Sequence, residues 1–322
     1  SKGANGVIVI TTKAPEAGKI KVYFKGGVNL EMPDLSSYDL MHAEEKLRLE
    51  WENGIYESKD IVESDIALKE IYYRNLDAVR RGVDTDWLAQ PVRVGVGQRY
   101  NLNVTGGNNE FRWRASLGYN NVAGAMKGSD RTNFNGAVSL QYTYKNLIFN
   151  NQTMITTNKA QDSKYGTFSD YAKMQPYWRI YDDNGELIKT YEGTNRYTVG
   201  NPLYNATLNT YNISKYTEIV NNFSIEELRL RGQIGISKMF ETGDAFYPAD
   251  HTMFEDYGIA DANKKGQYDY RDGESLAVDG NITLSWAKTE ADKHNFYVGA
   301  DASITNRDSH SYMFSAIGFP NE

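Results

Sequence analysis

The feature that most constrains this 322-residue chain is a series of segments in which apolar and polar side chains alternate. In residues 111–119, Trp113 and Leu117 fall on one face, whereas Arg112 and Ser116 fall on the other. Successive side chains of a strand point to opposite faces, so each such segment predicts a strand with one apolar and one polar face.

The connections between these segments alternate in length. Strands are predicted over 20–30, 92–105, 111–123, 133–145, 147–157, 214–226, 229–239, 275–288 and 294–305. Long connections are predicted over 33–91, 158–213, 240–274 and from 306 onward, with 124–132 as a shorter member. Tight turns are predicted at 106–110, 145–146, near 227 and at 289–293. This asymmetry is typical of bacterial outer-membrane barrels, which have short periplasmic turns and long extracellular loops.

Composition narrows the class further. The sequence has no run of about 18 or more apolar residues, so no transmembrane helix is predicted. It is rich in aromatic residues, with 24 Tyr, 5 Trp and 12 Phe, which favour membrane interfaces and sugar- or peptide-binding surfaces. The absence of Cys excludes disulfides and thiolate metal sites. The net charge of −7 argues against a nucleic-acid partner.

The two faces of the strands have different expected environments. Residues predicted to face lipid are Val138, Leu140, Leu284 and Val298, and those predicted to face the lumen are Asn135, Ser139, Thr283 and Asp301. Outward aromatics near the short turns, which predict a periplasmic girdle, are Phe111, Trp113, Tyr142, Tyr144, Trp286 and Phe296. A large soluble β-sandwich is the alternative.

Residues 36–82 interrupt the strand pattern with helical periodicity. Ser36 or Ser37 can cap a first helix, and Ser64 can cap a second. The first helix carries an apolar stripe formed by Leu40, Leu47 and Trp51. That stripe is too small for a core of its own, so it is expected to pack on the barrel rim, the second helix or another protein.

Several short motifs carry a family resemblance. Residues 3–13, with Gly3, Asn5 and Gly6 as their signature, resemble the end of the plug domain in the SusC/RagA family of TonB-dependent outer-membrane transporters. Further segments that resemble the same family, in the same order, are 84–87, 103–107, 115–119, 124–130, 201–203 and 318–322. Residues 223–232 depart from the pattern because they lack turn-forming residues, so the register near Glu226–Leu228 is not fixed by the sequence.

The resemblance implies a partial, antiparallel, all-β transmembrane barrel. Residues 1–17 would be the C-terminal end of the plug, and residues 18–322 the N-terminal part of the barrel, with 36–82 as a helical extracellular insertion. About nine strands of a 22-stranded barrel would be present. Most of the plug, the segment that contacts TonB and the later strands would lie outside this sequence.

The long connections carry the candidate binding residues. The candidates for contact with substrate or lid protein are Tyr165, Tyr177, Trp178, Arg179, Tyr181, Arg196 and Tyr197. Aromatic faces stack on sugars and pack on peptide side chains, and Arg supplies directed hydrogen bonds. The alternative is that the aromatics only hold a long loop together.

Nothing in the sequence predicts an enzyme, a metal site or a cofactor. The four His residues lie in different segments, without HExxH spacing, and no GxSxG elbow is present. Residues 261–272 depart from a calcium-binding loop because Lys265 stands at a ligand position and Asp272 replaces the bidentate Glu.

The resemblance implies TonB-dependent import of an oligosaccharide or oligopeptide across the outer membrane. The implied partners are a SusD-like surface lipoprotein, TonB, the substrate and outer-membrane lipid. One alternative is a non-transporting glycan-binding adhesin or β-sandwich module. Another is a siderophore or cobalamin receptor of the same fold.

Overall fold

The computed structural model describes residues 15–59, 61–194, 197–227, 230–290 and 294–319, with the backbone alone at 287–290 and 294–296. The plug signature Gly3, Asn5 and Gly6 lies outside the described residues, as does Arg196.

The described chain is mostly antiparallel β-structure. Its strands are β1 (Gly18–Glu31), β2 (Gly95–Gly107), β3 (Phe111–Ala123), β4 (Asp130–Tyr144), β5 (Leu147–Gln161), β6 (Thr190–Glu192), β7 (Thr198–Gly200), β8 (Tyr211–Glu227), β9 (Leu230–Tyr247), β10 (Gln267–Glu290) and β11 (His294–Ile317). Its helices are α1 (Ala43–Glu52), α2 (Val62–Arg80), α3 (Phe168–Ala172) and α4 (Pro202–Asn205), with 3-10 turns at Thr252–Phe254 and Ile259–Lys264. Among these helices, none combines the length and the apolar character needed to cross a membrane.

Nine strands form one open sheet in the order β1-β2-β3-β4-β5-β8-β9-β10-β11, and β6 pairs only with β7. Every neighbouring pair in the large sheet is antiparallel and consecutive along it. The predicted class, a partial antiparallel barrel of about nine strands with a helical insertion, is confirmed. Long connections (32–94, 124–129, 162–210 and 248–266) meet at one end of the sheet, and the short turns at the other.

The pairing register separates an apolar from a polar face. Leu140 lies opposite Trp113 on one face, and Ser139 lies opposite Arg114 on the other. On the polar face of the last two strands, the Thr283 hydroxyl donates to Asp301 at 2.8 Å. The alternation read from the sequence therefore matches the cross-strand pairs.

The turn after β2 depends on a glycine and an asparagine. Gly107 has φ +137°, and a Cβ at this position would lie 2.2 Å from the carbonyl oxygen of Phe111. The Asn108 side chain accepts hydrogen bonds from the backbone N–H groups of Glu110 (2.9 Å) and Phe111 (2.7 Å). A larger residue at position 107 cannot make this reversal.

Several strands are longer than predicted, and three of them extend by eight residues or more. β9 continues to Tyr247, β10 begins at Gln267, and β11 continues to Ile317, where a long connection was predicted from 306. On β9 and β10 the apolar alternation is interrupted where Lys238 and Glu274, which form an ion pair at 2.7 Å, occupy the otherwise apolar face. Backbone pairing needs no apolar side chains, so the ladder continues past them.

The first helix begins later than predicted. It starts at Ala43, and Leu40 precedes it with 58% of its surface exposed. Ser36 does not act as the cap because its N–H and hydroxyl both bond to Asp34. The helix is capped instead by Asp84, which accepts from the Ala43 N–H at 3.0 Å. Leu40 therefore does not belong to the helical stripe.

At the third short turn, Glu227 pairs with Leu230, so two residues connect β8 and β9. These two residues, 228–229, lie outside the described residues. An ion pair between Arg231 and Glu226 at 3.2 Å joins the strand ends beside this turn.

Candidate functional site

Two long connections pack together into one folded unit, which we call the loop module (residues 32–94 and 162–210). Its buried core comprises Ala43, Leu47, Tyr56, Ile71, Trp87, Leu88, Tyr171, Met174, Tyr177, Trp178 and Tyr191. Both connections contribute to this core, although strands β2 to β5 separate them along the chain. The apolar surface that the helices cannot bury alone is thus covered by the second connection.

Residues 84–87, one of the family-like motifs, hold the two connections together. The Thr85 N–H donates to the Pro176 carbonyl and its hydroxyl to the Trp178 carbonyl, both at 2.8 Å. The Trp87 indole N–H donates to the Gln175 carbonyl at 2.9 Å. Because Asp84 also caps α1, this short motif fixes the first helix and the later connection at the same time.

The apolar stripe of α1 packs against the second helix, α2. This was one of the three packing partners predicted from the sequence. The Trp51 ring lies 4.2 Å from the Tyr72 ring between centroids, and Leu47 is only 2% exposed. Leu40 takes no part in this contact because it precedes α1 and is exposed. The remaining two residues of the stripe, Leu47 and Trp51, pack inside the loop module.

A buried hydroxyl pair links α1 to the later connection. Tyr56 and Tyr177 both donate to the Glu50 carboxylate, at 2.8 and 2.9 Å. Burial raises the pKa of Tyr56 to about 12 and raises that of Tyr177 further. Both tyrosines therefore stay neutral donors, which satisfies a carboxylate that is itself largely covered.

Tyr177 and Trp178 lie in this core rather than on an open surface. The Trp178 ring stacks on Tyr191, whose hydroxyl donates to the Arg179 carbonyl at 2.6 Å. The two rings expected to meet substrate or lid are thus packed against neighbouring side chains. The packing of these two residues fits the alternative, aromatics that hold the loop together, although both also line the cleft described next.

Beside this core lies a cleft of about 610 Å³, which we call the arginine cleft. Arg74 of α2 and Arg81, which directly follows this helix, form one wall, and Arg179 and Glu192 also line the cleft. Each guanidinium has a carboxylate partner: Arg74 pairs with Glu192 (3.1 Å), Arg81 with Asp77 (2.9 Å) and Arg179 with Asp183 (2.5 Å). The cleft lining thus carries charges of both signs, three arginines and two carboxylates.

A larger cleft of about 870 Å³ lies among the connections at the long-connection end, and we call it the mouth cleft. Its lining includes Tyr165, Lys164, Asp162, Asn212 and Tyr247. Asn212 and Tyr247 belong to the polar face of their strands, so the cleft opens on that side of the sheet. Its volume is that of a pocket for a small ligand or a short oligomer.

The polar groups of the mouth cleft are only partly paired. Asn212 donates to Asp162 at 2.9 Å. The buried hydroxyl of Thr210, by contrast, has no hydrogen-bond partner among the described residues. Since a buried hydroxyl without a partner costs free energy, a polar ligand at this position would be stabilised.

His251 forms a neutral part of the same cleft. Its Nδ1 accepts from the Met253 N–H at 3.2 Å, and its ring contacts Tyr247 and Phe254. Burial lowers the pKa of this imidazole to about 4. The side chain is therefore an uncharged acceptor near neutral pH.

The other candidates from the sequence fall in different places. Tyr165 lines the mouth cleft and Arg179 the arginine cleft, whereas Tyr181 and Tyr197 are exposed outside both. Arg74, Asp162 and His251 were not predicted from the sequence as binding residues. No local motif marks them, because each cleft is assembled from connections far apart in the chain.

Comparison with known proteins relates the chain to TonB-dependent receptors. No family model matches it. It is 24% identical over 230 residues to the TonB-dependent receptor P39 of Formosa agariphila, which covers 69% of this chain and 20% of that protein. It is 28% identical over 141 residues to the TonB-dependent receptor SusC of Bacteroides thetaiotaomicron, which covers 44% of this chain and 12% of that protein.

Solved structures share the fold. The RagAB peptide transporter aligns with a TM-score of 0.72 at 13% identity, over 96% of this chain and 37% of that one. The RagAB peptide importer in its closed-closed state aligns with a TM-score of 0.72 at 17% identity, over 98% and 38%. The chain therefore spans well under half of the proteins it matches.

These similarities confirm the SusC/RagA-like character predicted from the sequence. The relatives are named as receptors, a transporter and an importer, not as enzymes. The shared fold, taken together with the TonB-dependent receptors among the relatives, agrees with the outer-membrane location predicted from the sequence.

Proposed function

We propose that this SusC/RagA-like chain is part of a TonB-dependent importer that carries a short oligomer across the outer membrane. The observation that supports this most is its similarity to a TonB-dependent receptor over 69% of the chain. The nine-stranded antiparallel sheet agrees with it. Residues 1–17 would end the plug and 18–322 would begin the barrel, with the loop module outside the cell. TonB would act through a segment upstream of these residues.

The mouth cleft is the proposed substrate-contact region. Lys164 and Lys173 supply positive charge to its lining, and Asp162 and Asp170 supply negative charge. An oligopeptide carries both an ammonium and a carboxylate, so this lining favours a peptide over a neutral oligosaccharide. Tyr165 would pack on an apolar side chain or stack on a sugar ring.

Uptake by the full-length protein tests the proposal. Cells expressing it should accumulate labelled oligopeptides, and removal of the TonB-contacting segment should abolish accumulation. Tyr165→Ala should weaken peptide binding by the purified protein, whereas Tyr181→Ala, at an exposed tyrosine outside both clefts, should not. Uptake that persists without the TonB-contacting segment would favour a passive porin or a surface-binding module instead.

A SusD-like lipoprotein is the proposed surface partner. The stripe Leu47–Trp51 is not open to it, but α2 carries a second apolar stripe on its outer side. Val62, Ile66 and Tyr73 lie within about 40° of one another on a 3.6-residue helix, and they are 76, 55 and 61% exposed. A lid protein that covered this stripe would remove it from water.

Co-purification separates this contact from folding. Ile66→Asp together with Tyr73→Asp should reduce recovery of the lipoprotein with the full-length barrel. Glu63→Ala, on a neighbouring exposed face of the same helix, serves as the control. Heat-modifiability of the barrel on a gel reports assembly independently. Normal recovery with normal assembly would assign the lid to a different surface.

A further inference from the structure

Two lysines lie directly opposite one another on the apolar face of the sheet. Lys159 on β5 pairs in register with Lys215 on β8, and both are exposed. Like charges placed directly across two strands repel, so the arrangement is destabilising unless an anion compensates it. None of the ion pairs among the described residues includes either lysine.

The pair lies where the apolar band of this face ends. Lys159 is twelve residues beyond Leu147 on β5, and Lys215 is ten residues before Ile225 on β8, counted from the short-turn end. At about 3.3 Å per residue and a tilt of about 40°, these spans rise roughly 25–30 Å. An outer-membrane barrel has an apolar band about 25 Å tall, so the lysines sit at its far boundary.

Four threonines flank the two lysines on the same face of the sheet. Thr132 lies opposite Lys159, and Thr242 lies opposite Lys215. Thr157 and Thr217 lie opposite each other on the same face, one step closer to the short turns. The Thr132 hydroxyl accepts from the Asn121 amide at 2.9 Å, which leaves its own proton to donate.

The carboxylates nearest along these strands lie one step further from the short turns. Asp130 lies opposite Gln161, and Asp244 lies opposite Ile213. Neither forms an ion pair with the two lysines among the described residues. The positive charge at this position is therefore available to an external anion.

We propose that Lys159, Lys215 and the four threonines bind the phosphorylated sugar headgroup of an outer-leaflet glycolipid. The ammonium groups match a phosphate, and the hydroxyls match the sugar hydroxyls around it. The acyl chains of such a lipid would lie along the apolar band below, beside Ile155 and Ile219. The inference rests on the proposed lipid-facing orientation of this face, and not on the identity of the transported substrate.

Binding of diphosphoryl lipid A to the purified full-length protein in detergent tests the site. Lys159→Gln or Lys215→Gln should weaken binding about fivefold each, and the double variant roughly 30-fold. The double Lys→Arg variant keeps both charges and should bind within a few-fold of wild type. Lys25→Gln, an exposed lysine on the polar face, is the control and should bind normally.

Two further probes distinguish the source of the anion. Dephosphorylated lipid A should bind much more weakly than the diphosphoryl form, and inorganic phosphate should compete only at far higher concentrations. Equal competition by inorganic phosphate would overturn the lipid assignment, and wild-type affinity in the double Gln variant would overturn the site. Heat-modifiability verifies folding of each variant. Peptide uptake by the same variants reports separately on the import proposal.

Discussion

The ring of Trp178 lies parallel to the ring of Tyr191, with 4.7 Å between centroids and 2° between planes. The backbone carbonyl of Trp178 meanwhile accepts the hydroxyl of Thr85, from the other half of the loop module. One tryptophan thus joins three segments: its own connection, the β6 strand and the motif at residues 84–87. Its contribution should be structural.

Trp178→Ala should therefore destabilise the loop module. Removing a buried tryptophan costs about 3–5 kcal/mol, because the surrounding side chains close the cavity only in part. Hydrogen exchange of the full-length protein should show faster exchange at residues 84–88 and 171–191, with the strands unchanged. Tyr181→Ala is the matched control, since this ring is exposed. Unchanged exchange in Trp178→Ala would contradict the assignment.

The two leucines of the predicted stripe should behave differently. Leu47→Ala should destabilise the loop module by about 2–5 kcal/mol because the side chain is buried, whereas Leu40→Ala should have almost no effect. Limited proteolysis of the connection 32–94 measures this difference: cleavage should be faster in Leu47→Ala and unchanged in Leu40→Ala. If the two variants were equally sensitive to protease, Leu40 would have to contribute to packing in spite of its exposure.

Sequence periodicity predicted the sheet well because its period of two is imposed by the same environment on every strand. It failed towards the ends of β9 and β10, where the ion pair between Lys238 and Glu274 interrupts the apolar face. It also failed at α1, because the cap is Asp84, some forty residues further along the chain. A pattern of neighbouring residues cannot indicate a capping residue that lies so far away in the sequence.

The binding residues were harder to predict for a related reason. Richness in tyrosine and tryptophan marked the connection 162–210 correctly as special, but could not indicate which rings are buried. Tyr177 is buried by Tyr56 and Glu50, which belong to the other connection. Tyr165, by contrast, lines an open cleft. The distinction depends on tertiary packing alone.

The two faces of β4 should differ in their tolerance of charge. Leu140→Arg should cost about 2–4 kcal/mol if the residue faces the bilayer near its midplane, and Ser139→Arg much less. Single cysteines at these positions in a cysteine-free full-length protein provide the measurement. A membrane-impermeant thiol reagent should label Ser139→Cys and leave Leu140→Cys unlabelled. The reverse pattern would exchange the two faces.

The mouth cleft should loosen in acid through His251. Its pKa in the folded protein, about 4, is below the usual 6.5, so the unfolded segment binds a proton that the folded one does not. The associated stability is complete above about pH 6.5 and is lost as the pH falls towards 4. Protease sensitivity of residues 248–266 should rise over that window.

His251→Asn separates titration from capping. An asparagine can still accept the Met253 N–H but does not titrate, so its protease sensitivity should not depend on pH over the same window. If the variant retained the full acid response, a different group would be responsible for it.

The contacts that build the loop module join residues very far apart in sequence. Thr85 meets Trp178 across 93 positions, and Tyr56 meets Tyr177 across 121. Closing so long a span is entropically unfavourable until the intervening chain is already ordered. Strands β2 to β5 are that intervening chain, so we expect the module to close after they have paired. The loop module should therefore form late in folding, and its formation would indicate that the first half of the sheet has already paired correctly.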